Sequence, residues 1–258
     1  MSPENFKHLE QTLPDYITSQ RWYRAKARTI RELQVRDVIA MKIAGSQIFI
    51  VQIDYTEGDS DTYLLPLTAA EAKPQDALSS AEFRDSLLEA IACESAFDGR
   101  EGSIIASRTS ALERDCDSSA PKLESSVSRA EQSNSSIIFG DQFILKIFRK
   151  LESGINPDLE VGRFLTGRGF KYAPAVLGQL EYRPKHGEPM HAAILQGFVC
   201  NQGDAWKYTL ESLKPFFVRA LQNGSAPTLS TYHPMELCSQ ELPAIARQTI
   251  GEYIESAR

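Results

Sequence analysis

The sequence predicts an α+β protein with two antiparallel sheets in series, each accompanied by helices. Three observations carry that prediction. Clear β runs cover residues 48–55 and 62–67, further β runs lie between residues 137 and 199, and stretches of helical spacing lie before, between and after these two β regions.

The chain opens on residues 4–20, where Phe6, Leu9, Leu13 and Ile17 fall at helical spacing and Pro14 predicts a second helical piece starting there. The segment RWYRAKARTI, residues 21–30, is basic and reads first as a solvated loop running into a strand, with a turn that contacts the body of the protein or a partner as the alternative. From residue 33 to 67 the period becomes two. Val35, Asp37 and Ile39 alternate poorly, residues 48–55 and 62–67 are clear β runs, and breaks fall at Gly45-Ser46 and Glu57-Gly58-Asp59, which gives an antiparallel meander. Ser79-Ser80-Ala81-Glu82 is a capping-box pattern, with Phe83, Leu87, Leu88 and Ile91 on one face of the helix it opens. Residues 108–129, rich in Ser, Asp, Glu and Lys, read as a linker or a loosely held strand and loop.

Residues 131–165, EQSNSSIIFGDQFILKIFRKLESGINPDLEVGRFL, read as strand, turn, strand, loop and helix. Two apolar runs, 137–139 and 143–148, flank Gly140-Asp141, a hairpin signal because Gly takes positive φ without a Cβ clash. Alternation puts Phe143, Leu145 and Ile147 on one face and Ile144, Lys146 and Phe148 on the other, so an ammonium rises from an apolar surface and calls for an anion. One candidate is Glu160, on a helix that Asn156 caps and Pro157 begins. The other is a phosphate beneath the small-residue turn Ser133-Asn134-Ser135-Ser136. A strand lysine, a glutamate from the next helix and a small-residue turn together make the ATP-holding half of a kinase-type site; a snorkelling surface lysine gives the same pattern. Residues 172–182 and 191–199 then read as strands, Trp206, Leu210, Leu213, Phe217 and Leu221 as a helical stripe interrupted by Pro215, and residues 241–257 as a final amphipathic helix.

Composition excludes several classes. A net charge of -6 over 258 residues argues against nucleic acid or an anionic membrane as main partner. No run approaches a membrane span and residues 1–10 lack an apolar signal core, so the expected location is the cytoplasm. Cys93, Cys116, Cys200 and Cys238 are widely spaced without a CxxC pair and read as reduced, isolated thiols. His8, His186, His191 and His233 read as plain surface or core residues, and no metal cluster, P-loop or GxGxxG is present.

The 131–165 string resembles, nearly residue by residue, the N-lobe of maltokinases, bacterial kinases that phosphorylate maltose at C1 and are often fused to trehalose synthase. The blocks RWYRAKARTI, YLLPL (63–67) and FVCNQGDAWKYTLESL (198–213) follow in the same order as in that family. In the first of these, Arg24, Ala25 and Ala27 stand where the family has glycine. The resemblance implies a cap subdomain over 1–107, a linker over 108–129, a protein-kinase-like or aminoglycoside-phosphotransferase-like N-lobe over 130–200, and post-hinge helices over 201–258 that begin a truncated C-lobe. It implies ATP and Mg2+ as cofactors, with Lys146 on the phosphates, Glu160 fixing Lys146, Ser133, Asn134 and Ser135 covering the phosphates, and the backbone of Gln196, Gly197, Phe198 and Val199 holding adenine. Maltose 1-phosphate, on a route from trehalose to glycogen, would be the product. The family's HGDxHxxQ-like and DFxGEP-like loops, which carry the catalytic base and the metal ligands, do not occur in these 258 residues. The expectation is therefore no catalytic residue or metal ligand in this chain, inactivity in isolation, and, as the alternative, a module that docks on trehalose synthase or another sugar-pathway protein.

Overall fold

The computed structural model describes residues 3–41, 43, 45–68, 74–113, 116, 122–128, 133–201, 203–223 and 253, and of 3–8, 219, 220 and 223 only the backbone. Residues 1–199 form one compact unit and residues 200–258 a second.

The first unit begins with α1, Pro3–Ser19. It runs through Pro14 without the break that proline predicts; Leu13 and Ile17, either side of it, are fully buried and hold the helix on its sheet. Strands β1 (Ile30–Ala40), β2 (Ser46–Tyr55) and β3 (Asp61–Thr68) make the expected meander, and β4 (Gln75–Asp76) adds to β3. A bulge between Val35 and Asp37 accounts for the poor alternation there, since Arg36 has no partner in the register. Ser80 caps α2 (Ala81–Ala92), its Oγ accepting from the Phe83 N–H at 3.3 Å.

Next come β5 (Ala96–Asp98), β6 (Gly102–Arg108), β7 (Ser125–Val127), β8 (Asn134–Phe139), β9 (Phe143–Phe148) and β10 (Lys150–Leu151), then α3 (Pro157–Gly167), β11 (Val176–Pro184) and β12 (Met190–Gly197). The larger sheet has the order β5-β6-β11-β12-β9-β8-β7, while β10 pairs with β3 of the smaller one. Strand pairing thus crosses the expected boundary at 107: β5 and β6 extend the second sheet, and β10 closes the first.

The cause is a shared core. Ile48, Ile50 and Leu64 from one face of the first sheet pack with Phe83, Leu87 and Ile91 of α2 and with Ile104, Leu145, Ile147 and Leu180 of the second. The alternate residues Phe49, Val51, Ile53 and Leu65 meet Leu13 and Ile17 of α1 on the opposite face. Both faces of the first sheet are covered, which is why its strands read as near-continuous apolar runs. Phe148, Leu159, Val176 and Ile194 join α3 to the far side of the second sheet.

The cysteine expectation is corrected. Cys93, capping α2, is joined to Cys116 in a disulfide; 23 residues apart in sequence, they are brought together where the chain turns back from β6 toward β7. Cys200 is a free, exposed thiol, and Cys238 lies outside the described residues.

In the second unit α4 spans Ala205–Asn223, continuous through Pro215. The expected helix over 241–257 lies outside the described residues except for Tyr253, whose ring stacks on Tyr208 and whose Oη is 2.9 Å from Thr209 Oγ1. Among the described residues no helix is long and apolar enough to cross a membrane.

Candidate functional site

Lys146 lies mid-strand in β9, opposite Ser136 of β8 and Ile194 of β12. Its neighbours on the strand, Leu145 and Ile147, enter the central core, so Lys146 shares the other face with Ile144 and Phe148, as the alternation predicts. That face is the one α3 covers.

The start of α3 fixes what meets the lysine. Asn156 caps the helix, its Oδ1 accepting from the Asp158 N–H at 3.0 Å, and Pro157 takes the first helical position. Leu159 is the residue the helix buries, against Phe148, Val176 and Ile194. Gly162, one turn on, allows close packing on β11, since a Cβ there would stand 2.6 Å from Val176 Cγ2. With Leu159 inward, Asp158 swings toward β9, and its Oδ2 accepts from Lys146 Nζ at 2.8 Å. Glu160, about 200° around the helix from Asp158, is exposed. The expected pairing of Lys146 with Glu160 is therefore replaced by Lys146 with Asp158. Phe164 and Val161 are likewise exposed.

The small-residue turn divides by the same alternation. Ser133 and Asn134 line a cleft of about 290 Å³ that also meets Trp22, Tyr63, Phe148 and Asp158. Ser135 points the opposite way, into the core, where its Oγ accepts from Arg149 Nε at 2.9 Å, so it is removed from any phosphate-covering role. Ser136 is the residue across from Lys146.

Arg149 is fully buried. It pairs with Asp76 and lies with its guanidinium carbon 5.0 Å from the centre of the Trp22 ring, tying the two sheets and the 21–30 turn together. That turn is accordingly no solvated loop. Trp22 and Tyr23 are buried, Arg24 reaches the cleft, and Arg28 is held over the Tyr55 ring and on Asp61. Asp61 also accepts from Tyr55 Oη at 2.9 Å and pairs with Lys150 at 2.8 Å. Burial, above all, pushes the Tyr55 phenol far above its ordinary range and Tyr63 up to about 12.

At the end of β12, the Gly197 N–H donates to the Ala175 carbonyl at 3.0 Å and the Phe198 N–H to that of Gln142 at 2.8 Å. Gln196 is still within the ladder, paired with Ile144 and Val176, and Val199 is exposed. An adenine edge along 196–199 would thus find the donors of 197 and 198 already engaged. Among the described residues no group of three or more His, Cys, Asp or Glu side chains is placed to hold a metal ion.

Asp158 and Trp22 are what the sequence reading missed. Asp158 carried a signal, since a cap at Asn156 with Leu159 inward sets it beside Lys146; Ser136, read as part of the phosphate turn, is set against Lys146 by the hairpin that pairs Phe139 with Phe143.

Residues 16–90 match the maltokinase N-terminal cap domain. Solved structures of similar fold include glucosamine kinase in a first crystal form, with TM-score 0.53 and 16% identity over 83% of this chain and 45% of that one. Glucosamine kinase in complex with glucosamine, ADP and inorganic phosphate gives TM-score 0.54 and 14% identity over 84% and 46%. At such identity the likeness is one of fold, an α+β arrangement of antiparallel sheets with few helices, consistent with a cap followed by a kinase-like N-lobe. The chain spans a little under half the length of those glucosamine kinase structures.

Proposed function

We propose that this chain, with a maltokinase N-terminal cap domain at residues 16–90, supplies the nucleotide-facing part of an ATP-dependent sugar kinase whose acceptor is maltose and whose product is maltose 1-phosphate. The observation that carries the reading is the Lys146–Asp158 pair, 2.8 Å apart on the face of the second sheet that α3 covers, beside the cleft that Ser133 and Asn134 line. A lysine held by a carboxylate from the following helix is pre-positioned for the phosphates of a nucleotide.

The residues present fit ATP at its phosphate end. Lys146 supplies the charge, and Ser133 and Asn134 the small, close approach. Mg2+ is not held by this chain's described side chains alone and would come with the nucleotide. The chain's own work is to hold and orient the triphosphate; the base that takes the proton from the sugar hydroxyl, and the metal ligands, belong to a further lobe. In isolation the chain is inactive, and its proposed setting is cytoplasmic.

The test is calorimetric titration of MgATP into the chain and into Lys146→Ala. Saturable binding that the substitution abolishes supports the reading; no binding to the native chain, or equal binding to both, overturns it. A second reading, a module docking on trehalose synthase or another sugar-pathway enzyme, is favoured by the exposed apolar side chains Val161, Phe164, Phe170 and Tyr172 on and after α3.

A further inference from the structure

His191 is buried on β12, and its ring meets both the neighbouring strand and the turn before α3. Nε2 stands 3.6 Å from Glu181 Oε2, its register partner on β11, and Glu181 in turn pairs with Arg183. Nδ1 faces two backbone groups of the turn before α3: the Asn156 N–H, which donates to it at 3.3 Å, and the Gly154 carbonyl at 3.2 Å. The Gly154 N–H is bound to the Pro189 carbonyl at 3.0 Å, so this turn is fastened to the start of β12 on either side of the imidazole. Asn156 is the residue that caps α3 through Asp158. A continuous path therefore runs from Arg183 through Glu181 and His191 to the cap of α3 and the carboxylate that meets Lys146.

We propose that His191 is a positioning residue: as the neutral imidazole with its proton on Nε2, facing Glu181, it offers Nδ1 as acceptor to the Asn156 N–H and so sets the start of α3, and with it Asp158, against Lys146. Nδ1 cannot serve both its neighbours in one state. Unprotonated it accepts from Asn156; protonated it donates to Gly154 and presents an N–H to an N–H. Acid therefore switches the contact from 156 to 154. The charged groups around the ring are Glu181 and, behind it, Arg183 on β11, Glu188 beside Gly154, and Asp158 beyond the cap.

The functional half of this inference rests on the nucleotide reading, and the experiment separates the two. In the full chain labelled with 15N at histidine, His191 should show Nδ1 unprotonated and Nε2 protonated at about pH 7.5, and the backbone amides of Asn156 and Asp158 should move together as it titrates. A proton on Nδ1 at that pH, or Asn156 and Asp158 amides that shift equally in His191→Gln, would overturn it. MgATP affinity is then compared at about pH 7.5 and about pH 5.5. His191→Gln, which keeps an acceptor and a donor without titrating, should bind as the native chain does at the higher pH. The native chain should lose roughly fivefold more affinity than His191→Gln on acidification, the worth of one hydrogen bond. Parallel pH profiles sink the link to the site. If the native chain binds no nucleotide, the kinase reading fails and the amide shifts still decide the role of His191.

Discussion

Lys146 meets Asp158 rather than Glu160 because Leu159, the residue between those two carboxylates, is the one α3 buries. A helix advances 100° per residue, so fixing Leu159 inward puts the flanking acids on opposite sides, one toward β9 and the other into solvent. The phase of α3 thus selects the partner of the lysine.

The first prediction follows from that phase. Asp158→Asn should weaken nucleotide binding two- to fivefold, about 0.5–1 kcal/mol, the scale of an ion pair whose acid is still more than half exposed. Glu160→Gln should leave it unchanged. Titration calorimetry on the two variants side by side checks this; a larger loss in Glu160→Gln would restore the pairing the sequence suggested.

The tyrosines around Asp61 make stability fall in alkali. Burial raises the Tyr63 phenol to about 12 in the folded chain, against about 10 when unfolded. The unfolded state therefore releases its proton first, so the stabilisation is whole below about pH 10 and is lost as pH climbs toward 12. Urea denaturation at a series of pH values, with tyrosinate absorbance recorded alongside, should show a plateau and then a decline, and Tyr63→Phe should make the decline shallower. A flat profile to about pH 11.5 would contradict the assignment.

Much of this fold was legible because its strands are apolar runs bounded by turn residues, and because the second sheet's central hairpin alternates. The strands from 48 to 55 and 62 to 67, the 137–148 hairpin, the Asn156-Pro157 helix start and the outward lysine all appear where the pattern puts them. What local pattern could not carry was anything set by distant packing. Glu160 and Asp158 are equally plausible partners until Leu159 is known to be the buried residue. Ser135 looks like its neighbours Ser133 and Asn134 until Arg149 is known to lie beneath it. The basic turn at 21–30 reads as solvent-facing because its anchors, Arg149 for Trp22 and Asp61 for Arg28, are 127 and 33 residues away. The sharing of strands between the two sheets is likewise invisible in the order of elements.

The Cys93–Cys116 disulfide should be worth about 3 kcal/mol through the loop it closes. It clips the C-terminus of α2 to Cys116, which lies in sequence between β6 and β7. Denaturation of the native chain with and without reductant, and of Cys116→Ser, should give two equally destabilised curves. Identical stability in all three would mean the two thiols are not joined in solution.

The last prediction couples packing to the site. A Cβ on Gly162 would stand 2.6 Å from Val176 Cγ2, a fully buried β-branched side chain with no room to retreat. Gly162→Val must therefore lift α3 from β11, costing about 1–3 kcal/mol as overpacked interfaces do. Since Leu159 lies one turn earlier on the same face, the lift draws Asp158 away from Lys146 as well. Nucleotide affinity should fall at least as far as in Asp158→Asn, while the double variant Gly162→Val with Asp158→Asn should be little worse than Gly162→Val alone, because the pair is already broken. Additive losses in that cycle would show that α3 tolerates the added methyls in place and that its seat on β11 does not govern the lysine.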